Sequence, residues 1–243
     1  MSTLYFLHGV GGGHAAWARQ VAWFAGRGYR CVAWDQPGYG GTQPVEPYTL
    51  ENVSKALQRL IGDEEAVLIG HSMGGFVAQE AYARDPARVR ALVLCFTSPA
   101  FAGGGEFAAR FMAARLEPLD AGLSMAETAA RLMPTMRGSR SDPEGLAQAE
   151  RIMAAVPAET YRMAVAMLTA FDRRASLANI SVPTLLVAGS DDRTAPPAVM
   201  EKMAQRIPGA EYVCLEGCGH LGPMDQPEAF NAVLAEFLRR RSL

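Results

Sequence analysis

Ser72 stands in the run Gly70-His71-Ser72-Met73-Gly74-Gly75, which follows the apolar stretch Ala66–Ile69 and opens a segment of helical periodicity. A Gly-x-Ser-x-Gly run places a serine on a tight strand-to-helix turn, where bulkier residues at the two glycine positions would clash. The helix N-terminus behind the serine offers free N–H groups and partial positive charge to a developing oxyanion. A serine attacks only with a base beside it, and a histidine base needs a carboxylate to hold its tautomer. Both lie downstream at the ends of apolar runs. Gly189-Ser190-Asp191-Asp192 follows Thr184–Ala188, and Gly217-Cys218-Gly219-His220 follows Glu211–Leu215. The order serine, acid, histidine, with three segment ends agreeing, points to acyl transfer.

A fourth segment supplies what such a site lacks. Leu7-His8-Gly9-Val10-Gly11-Gly12-Gly13 comes straight off the apolar run Thr3–Leu7. The backbone N–H groups of Val10 and of Met73, the residue after the serine, are the expected oxyanion donors. A dinucleotide site on the same glycines is disfavoured. Read from Gly9, the sixth position of G-x-G-x-x-G is His14, and Asp35 is only roughly placed for a ribose contact. No cofactor is expected. Cys31, Cys95, Cys214 and Cys218 form neither a CxxC pair nor a zinc-spaced cluster, so neither a structural metal nor a structural disulfide is expected.

The elements that must position these residues read as a parallel sheet covered by helices. Short, nearly continuous apolar runs at Thr3–Leu7, Tyr29–Trp34, Ala66–Ile69, Ala91–Phe96, Thr184–Ala188 and Glu211–Leu215 suit strands buried on both faces. Helical patterns fall between them, at about Ala15–Arg27, Leu50–Ile61, Met73–Arg84, Ala198–Arg206 and Pro227–Arg240. The fold class is therefore α/β, a mostly parallel sheet of about six strands with helices on both faces. From 98 to 177 no strand pattern occurs, only Ala/Met/Arg-rich helical pattern broken by Gly103–Gly105, Pro118, Pro134, Gly138 and Pro157. The expected organisation is a core of residues 1–97 and 178–243 with 98–177 as a helical lid over the site. Phe107, Phe111, Met112, Met133, Met136, Met163, Met167 and Phe171 offer it apolar surface, though any one of them is more readily lid core than pocket lining. Pro99, Met163 and Leu221 are the candidate pocket residues. Nine Arg are matched by nine Asp plus Glu in the insertion, so a neutral short-to-medium acyl group is expected.

The composition narrows the function classes. The chain has 243 residues, a formal net charge of −2, 49% hydrophobic and 20% charged residues. That balance leaves no electrostatic footprint for nucleic acid or an anionic membrane. The uncharged N-terminal stretch lacks the basic region of a signal peptide and breaks at Gly11, and no apolar run would span a bilayer. A cytoplasmic protein acting on a small molecule is expected.

The motifs taken together resemble the α/β-hydrolase fold superfamily over nearly the whole chain. The likeness runs from His8-Gly9 through Asp35-Gln36-Pro37-Gly38-Tyr39-Gly40 and Gly70–Gly75 to Gly189–Asp192 and Gly219-His220. Asp192-Arg193-Thr194-Ala195-Pro196-Pro197 and Asp225-Gln226-Pro227-Glu228 look most like the lid-bearing bacterial carboxylesterases and 3-oxoadipate enol-lactonase-like hydrolases. The resemblance maps the family's acid, three residues past the strand-end glycine, onto Asp192, with Asp191 as the alternative. It implies a serine hydrolase of carboxylic esters or lactones with Ser72, Asp192 and His220 as catalytic residues. Ser72 excludes the aspartate-nucleophile dehalogenases and epoxide hydrolases, and Leu221 replaces the lysine that plant-type hydroxynitrile lyases carry after the histidine. A cofactor-free lyase or haloperoxidase on the same triad, or a small-molecule receptor, stays open. Most lid-bearing relatives have two strands before the one that here begins at Thr3. The strand Tyr29–Trp34 is therefore expected at a sheet edge, covered or paired with a second subunit as a homo-oligomer.

Overall fold

The computed structural model describes residues 3–101 and 106–243, the side chains of residues 106 and 107 excepted. The expected break at Gly103–Gly105 lies outside the described residues. Six strands form one sheet: β1 (Thr3–Leu7), β2 (Arg30–Trp34), β3 (Ala66–His71), β4 (Val89–Cys95), β5 (Thr184–Gly189) and β6 (Glu211–Leu215). All neighbours are parallel, in the order β2-β1-β3-β4-β5-β6. The apolar runs explain the order. Strands β1, β3 and β5 are buried at every residue and β4 at all but Arg90, as a strand covered on both faces must be. The more polar β2 and β6 are the edges. Arg30, exposed at the start of β2, pairs with Glu64.

Helices α1 (Ala18–Ala25), α2 (Leu50–Ile61), α3 (Met73–Arg84), α8 (Pro197–Arg206) and α10 (Pro227–Arg240) flank the sheet, with a short α9 at Gly222–Asp225. Their ends follow local chemistry. The Thr49 hydroxyl accepts from the Asn52 N–H at 3.2 Å and starts α2, and Gly62 at φ 64° ends it. Leu50, Val53, Leu57 and Ile61 then form one buried stripe. The first helix is shorter than its apolar pattern. His14–Trp17 is a 3₁₀ turn, because Gly13 precedes it without a side-chain cap and Asp35 takes the His14 N–H at 2.7 Å.

Between β4 and β5 lie α4 (Glu106–Asp120), α5 (Met125–Met136), α6 (Pro143–Ala154) and α7 (Ala158–Leu168). Ser124 and Glu127 form a reciprocal capping box at the start of α5, and Asp142 caps α6. Pro118 and Pro134 sit in the final turn of their helices and do not break them earlier. Stacking of Phe171 on Phe76 at 4.1 Å ties the end of this insertion to α3. Among the described residues, no helix is long and apolar enough to cross a membrane.

Candidate active site

Parallel sheets build sites at the C-terminal ends of their strands, where the strand order reverses. Here the reversal lies between β1 and β3, whose ends are in register at Leu7 and Gly70. The His8–Gly13 loop and Ser72 therefore emerge side by side. Ser72 adopts φ 53° and ψ −116°, a strained conformation for a residue with a Cβ. The neighbourhood holds it there. Its N–H donates to Cys95 at 3.0 Å, and its carbonyl accepts from Gly75 N–H at 2.9 Å and Thr97 Oγ1 at 2.8 Å. A Cβ on Gly74 would lie 2.1 Å from the Leu7 carbonyl oxygen, and one on Gly70 would lie 2.4 Å from that of Gly74. Both glycines are thus demanded by backbone contacts that side-chain repacking cannot relieve.

Asp192 and His220 come from β5 and β6, so the histidine loop must cross back toward β3. It passes directly over the end of β5. A Cβ on Gly189 would meet the Cys218 carbonyl oxygen at 2.4 Å, and Asp191 N–H donates to that oxygen at 3.0 Å. The crossing brings His220 Nδ1 to 2.8 Å from Asp192 Oδ2 and His220 Nε2 to 3.1 Å from Ser72 Oγ. The carboxylate accepts the Nδ1–H, which leaves the Nε2 lone pair facing the serine hydroxyl. The other Asp192 oxygen accepts from the N–H groups of Thr194 at 2.8 Å and Ala195 at 2.9 Å. With no exposed side-chain surface on Asp192, both oxygens are fixed. Asp191 turns away. It accepts from Ser139 N–H at 2.7 Å and from Ser190 Oγ at 2.9 Å, and the Ser139 contact holds its carboxyl below the usual range. Asp192→Asn should therefore lower kcat by about 10⁴-fold through the wrong imidazole tautomer, and Asp191→Asn by less than about tenfold. Ester turnover by the two variants, measured side by side, checks the assignment.

The Val10 and Met73 N–H groups donate to no protein acceptor among the described residues. Behind Val10 the loop is braced by a buried network. Tyr39 OH donates to the Val10 carbonyl at 2.8 Å, and Gln36 Nε2 donates to the His8 carbonyl at 2.7 Å. His8 Nδ1 donates to the Gly9 carbonyl at 2.8 Å while its Nε2 accepts from Gln36 N–H at 3.2 Å, which fixes its tautomer. Asp35 is absorbed in the same loop, its carboxylate taking both the N–H and the Nδ1 of His14.

His71, the residue before the serine, is a positioning group that the motif alone does not disclose. Its Nε2 donates to the His220 carbonyl at 2.7 Å. Burial pushes His71 down to about 3 and His8 down to about 4 from the ordinary 6.5. Each therefore favours the fold fully above about pH 6.5. That contribution, on the order of 3 kcal/mol each, is lost as pH falls through 4 and 3, because the unfolded chain takes up protons that the fold excludes. The melting temperature should accordingly drop steeply from pH 6.5 to 4, and less so in His71→Gln. A flat profile over that interval would contradict the buried neutral imidazoles.

The insertion grips the histidine loop backbone to backbone. His220 N–H donates to the Met136 carbonyl at 2.8 Å, and Arg140 N–H donates to that of Gly217 at 2.9 Å. Asp225 joins the two segments, accepting from Ser141 Oγ at 2.8 Å and Gly219 N–H at 3.2 Å, and burial pushes its carboxyl up.

Two cavities flank Ser72 and His220. An enclosed one of about 60 Å³ is lined by Gly9, Val10, Met133, Met136, Met153 and Leu221, with Arg115 and Tyr161 at the insertion side. A larger one of about 350 Å³ is lined by Met73, Phe76, Phe96, Pro99, Phe101, Pro196 and Val199. Phe111 and Leu168 belong to both. Pro99 and Leu221 thus sit beside the serine in separate cavities. Met163 lines neither. On α7, Tyr161 and Leu168 are seven residues apart and share the inward stripe, whereas Met163 lies two residues from Tyr161 and so points away from it. Met112, Met167 and Phe171 are also outside both linings, and the side chain of Phe107 lies outside the described residues.

A family model described as the alpha/beta hydrolase family matches residues 4–233. The chain belongs to the alpha/beta hydrolase family, and it is an enzyme of the hydrolase class. It is 28% identical over 243 residues to a protein of Mycobacterium tuberculosis provisionally named a non-heme bromoperoxidase, covering 96% of this chain and 92% of that one. It is 26% identical over 242 residues to 3-oxoadipate enol-lactonase 2 of Acinetobacter baylyi, covering 98% of this chain and 89% of the relative. Among solved structures it is similar to a malate-bound thermophilic esterase from Thermogutta terrifontis. That match has a TM-score of 0.88 and 25% identity, covering 99% of this chain and 90% of the esterase.

Proposed function

We propose that this chain is a serine hydrolase that cleaves small carboxylic esters or lactones through an acyl-enzyme on Ser72, working as a cytoplasmic enzyme. The observation that carries this reading is His220 bridging Asp192 and Ser72 at 2.8 and 3.1 Å, at the junction of two apolar cavities. Ser72 Oγ attacks the ester carbonyl as His220 Nε2 takes its proton, forming a tetrahedral oxyanion held by the Val10 and Met73 N–H groups. The C–O bond to the alcohol breaks and His220 delivers the proton to the leaving oxygen. Water then enters, gives a proton to His220 and attacks the acyl carbon. The bond to Ser72 Oγ breaks and the serine regains its proton, releasing the acid. Asp192 keeps His220 in the reactive tautomer throughout.

In this reading residues 98–177 act as the lid expected from the sequence, since α4 to α7 supply much of the enclosed cavity's wall and brace the histidine loop. Turnover of p-nitrophenyl butyrate with stoichiometric release of butyrate and nitrophenol tests it. Many turnovers per enzyme molecule are expected. Binding without turnover would favour a receptor, and peroxide- and bromide-dependent activity without hydrolysis would favour the oxidative alternative.

A further inference from the structure

Arg115, on α4, is only 8% exposed and, among the described residues, is the one charged side chain lining the enclosed cavity that also holds Ser72 and His220. A guanidinium stays protonated at any working pH, and burying it without an opposite charge is costly. Among the described residues, no carboxylate lies within ion-pair distance of it. Its partners are all uncharged: the Met136 thioether at 3.8 Å, the face of the Phe111 ring at 5.0 Å and the Tyr161 phenol. The other arginines of the insertion differ. Arg162 pairs with Asp120 at 2.5 Å, Arg173 pairs with Glu80, Arg174 pairs with Asp172, and Arg110 is exposed.

A second orphaned group stands beside it. The Tyr161 hydroxyl is buried, has no acceptor for its proton among the described residues, and belongs to the same cavity lining. Burial pushes its phenol up, and the charge of Arg115 acts against that rise, so the two groups feel each other directly. Leaving a buried donor unsatisfied is unfavourable, and leaving a buried cation without a counter-ion is more so. Both debts are cleared by one ligand atom set: a carboxylate, which accepts from the guanidinium fork and the phenol together.

The reaction decides which part of an ester brings it. The alcohol leaves first and must reach solvent while the acyl group stays on the serine. The larger cavity reaches the surface at the exposed Val199 and Arg174, whereas the smaller is lined by no exposed residue and mostly by buried ones. The acyl chain therefore occupies the enclosed cavity. At roughly 10–15 Å³ per water-sized occupant, its 60 Å³ takes about five small groups, enough for two methylenes and a carboxylate.

We infer that Arg115 and Tyr161 form a carboxylate-binding subsite, and that the substrate is an ester of a short dicarboxylic acid cleaved at one end and held by the other. The balanced charge of the insertion had pointed to a neutral acyl group; the burial of this one arginine with no carboxylate beside it among the described residues reverses that expectation. The inference rests on the serine-hydrolase reading of Ser72.

The test compares ethyl hydrogen succinate with ethyl isocaproate, in which an isopropyl group replaces the carboxylate at nearly the same shape. The wild-type kcat/KM should favour the hemisuccinate by about tenfold or more. That ratio should fall by about a hundredfold in Arg115→Met and by a few-fold in Tyr161→Phe. Succinate should raise the melting temperature of the wild type and not that of Arg115→Met. If Arg115→Met does not fold, Arg115→Lys, which keeps the charge but loses the fork, should still cut the ratio by about tenfold. Equal rates on the two esters with no thermal shift from succinate would overturn the subsite. So would faster cleavage of acetoxyacetate, which carries its carboxylate on the alcohol side. Cleavage of no ester at all would overturn the hydrolase reading instead, and the succinate shift would still decide whether Arg115 binds a carboxylate.

Discussion

Ser72→Ala should lower ester-hydrolysing kcat by about 10⁵–10⁶-fold while leaving the melting temperature unchanged. The serine hydroxyl is placed to attack with a base at its proton, His220 Nε2 being 3.1 Å away. Removing it leaves the oxyanion donors and cavities in place, so residual catalysis over water persists but no covalent intermediate forms. Alanine keeps the Cβ and with it the backbone strain, so the stability side is unchanged. Ser72 is held at φ 53°, and its fold contacts run through backbone N–H and C=O groups that alanine retains. His220→Ala should lose about as much activity, and the double variant little more, because the members of a triad act as a unit. A Ser72→Ala enzyme within about a hundredfold of wild type would mean that water is activated directly.

The second large effect is expected where no catalytic group is touched. A Cβ on Gly219 would lie 2.2 Å from the Met136 carbonyl oxygen, and one on Gly138 would lie 2.2 Å from that of Gly217. Each obstacle is backbone, so alanine at either position must part the insertion from the histidine loop. The His220–Met136 hydrogen bond at 2.8 Å lies within the same contact. Gly219→Ala and Gly138→Ala should each destabilise by roughly 3 kcal/mol. Each should also lower kcat by about a hundredfold, since a shift of about 1 Å in His220 spoils its line to Ser72. Gly122→Ala is the control. Its φ of 85° is unfavourable to alanine, but no atom lies within 4 Å of the added Cβ, so only about 1 kcal/mol of stability and no kcat should be lost. Wild-type kcat in Gly219→Ala would show that the insertion does not position the histidine.

These glycines also mark where sequence reading stops. The strands were legible because β1, β3, β4 and β5 are continuous apolar runs that suit only a doubly covered sheet. Helices α2, α3 and α10 have the bounds that their apolar periodicity predicts, Leu50–Ile61, Met73–Arg84 and Pro227–Arg240. The four site segments were legible for a related reason: each is a short motif fixed to the end of a strand, and parallel strands bring their ends to one edge. What connects distant segments was hidden. Gly138 and Gly219 are 81 positions apart, and nothing local in either segment records that their backbones touch. His71 reads as the variable residue of a motif until its ring is seen on the His220 carbonyl. Arg115 was concealed by its neighbours. Nine arginines balanced by nine acids look like a solvated surface, and only the packing of α4 shows that one of them is buried away from the acids of the described residues. Met163 fails for the same reason, since an apolar residue on a helix does not declare which side faces the cavity. The sheet edge at β2 was legible only through the family resemblance, in which the strands of most relatives that precede Thr3 would lie beside it; among the described residues β1 is its one neighbour in the sheet.

The central claim is a covalent acyl-enzyme on Ser72, and intact-mass analysis of enzyme quenched in acid during turnover of p-nitrophenyl acetate tests it most directly. A population heavier by one acetyl group should appear within the nitrophenol burst, map to the peptide containing Ser72, and decay at the steady-state rate. No such species should form in Ser72→Ala. Steady turnover by the wild type with its mass unchanged at every time point, or an acetyl group mapped to another residue, would contradict the account.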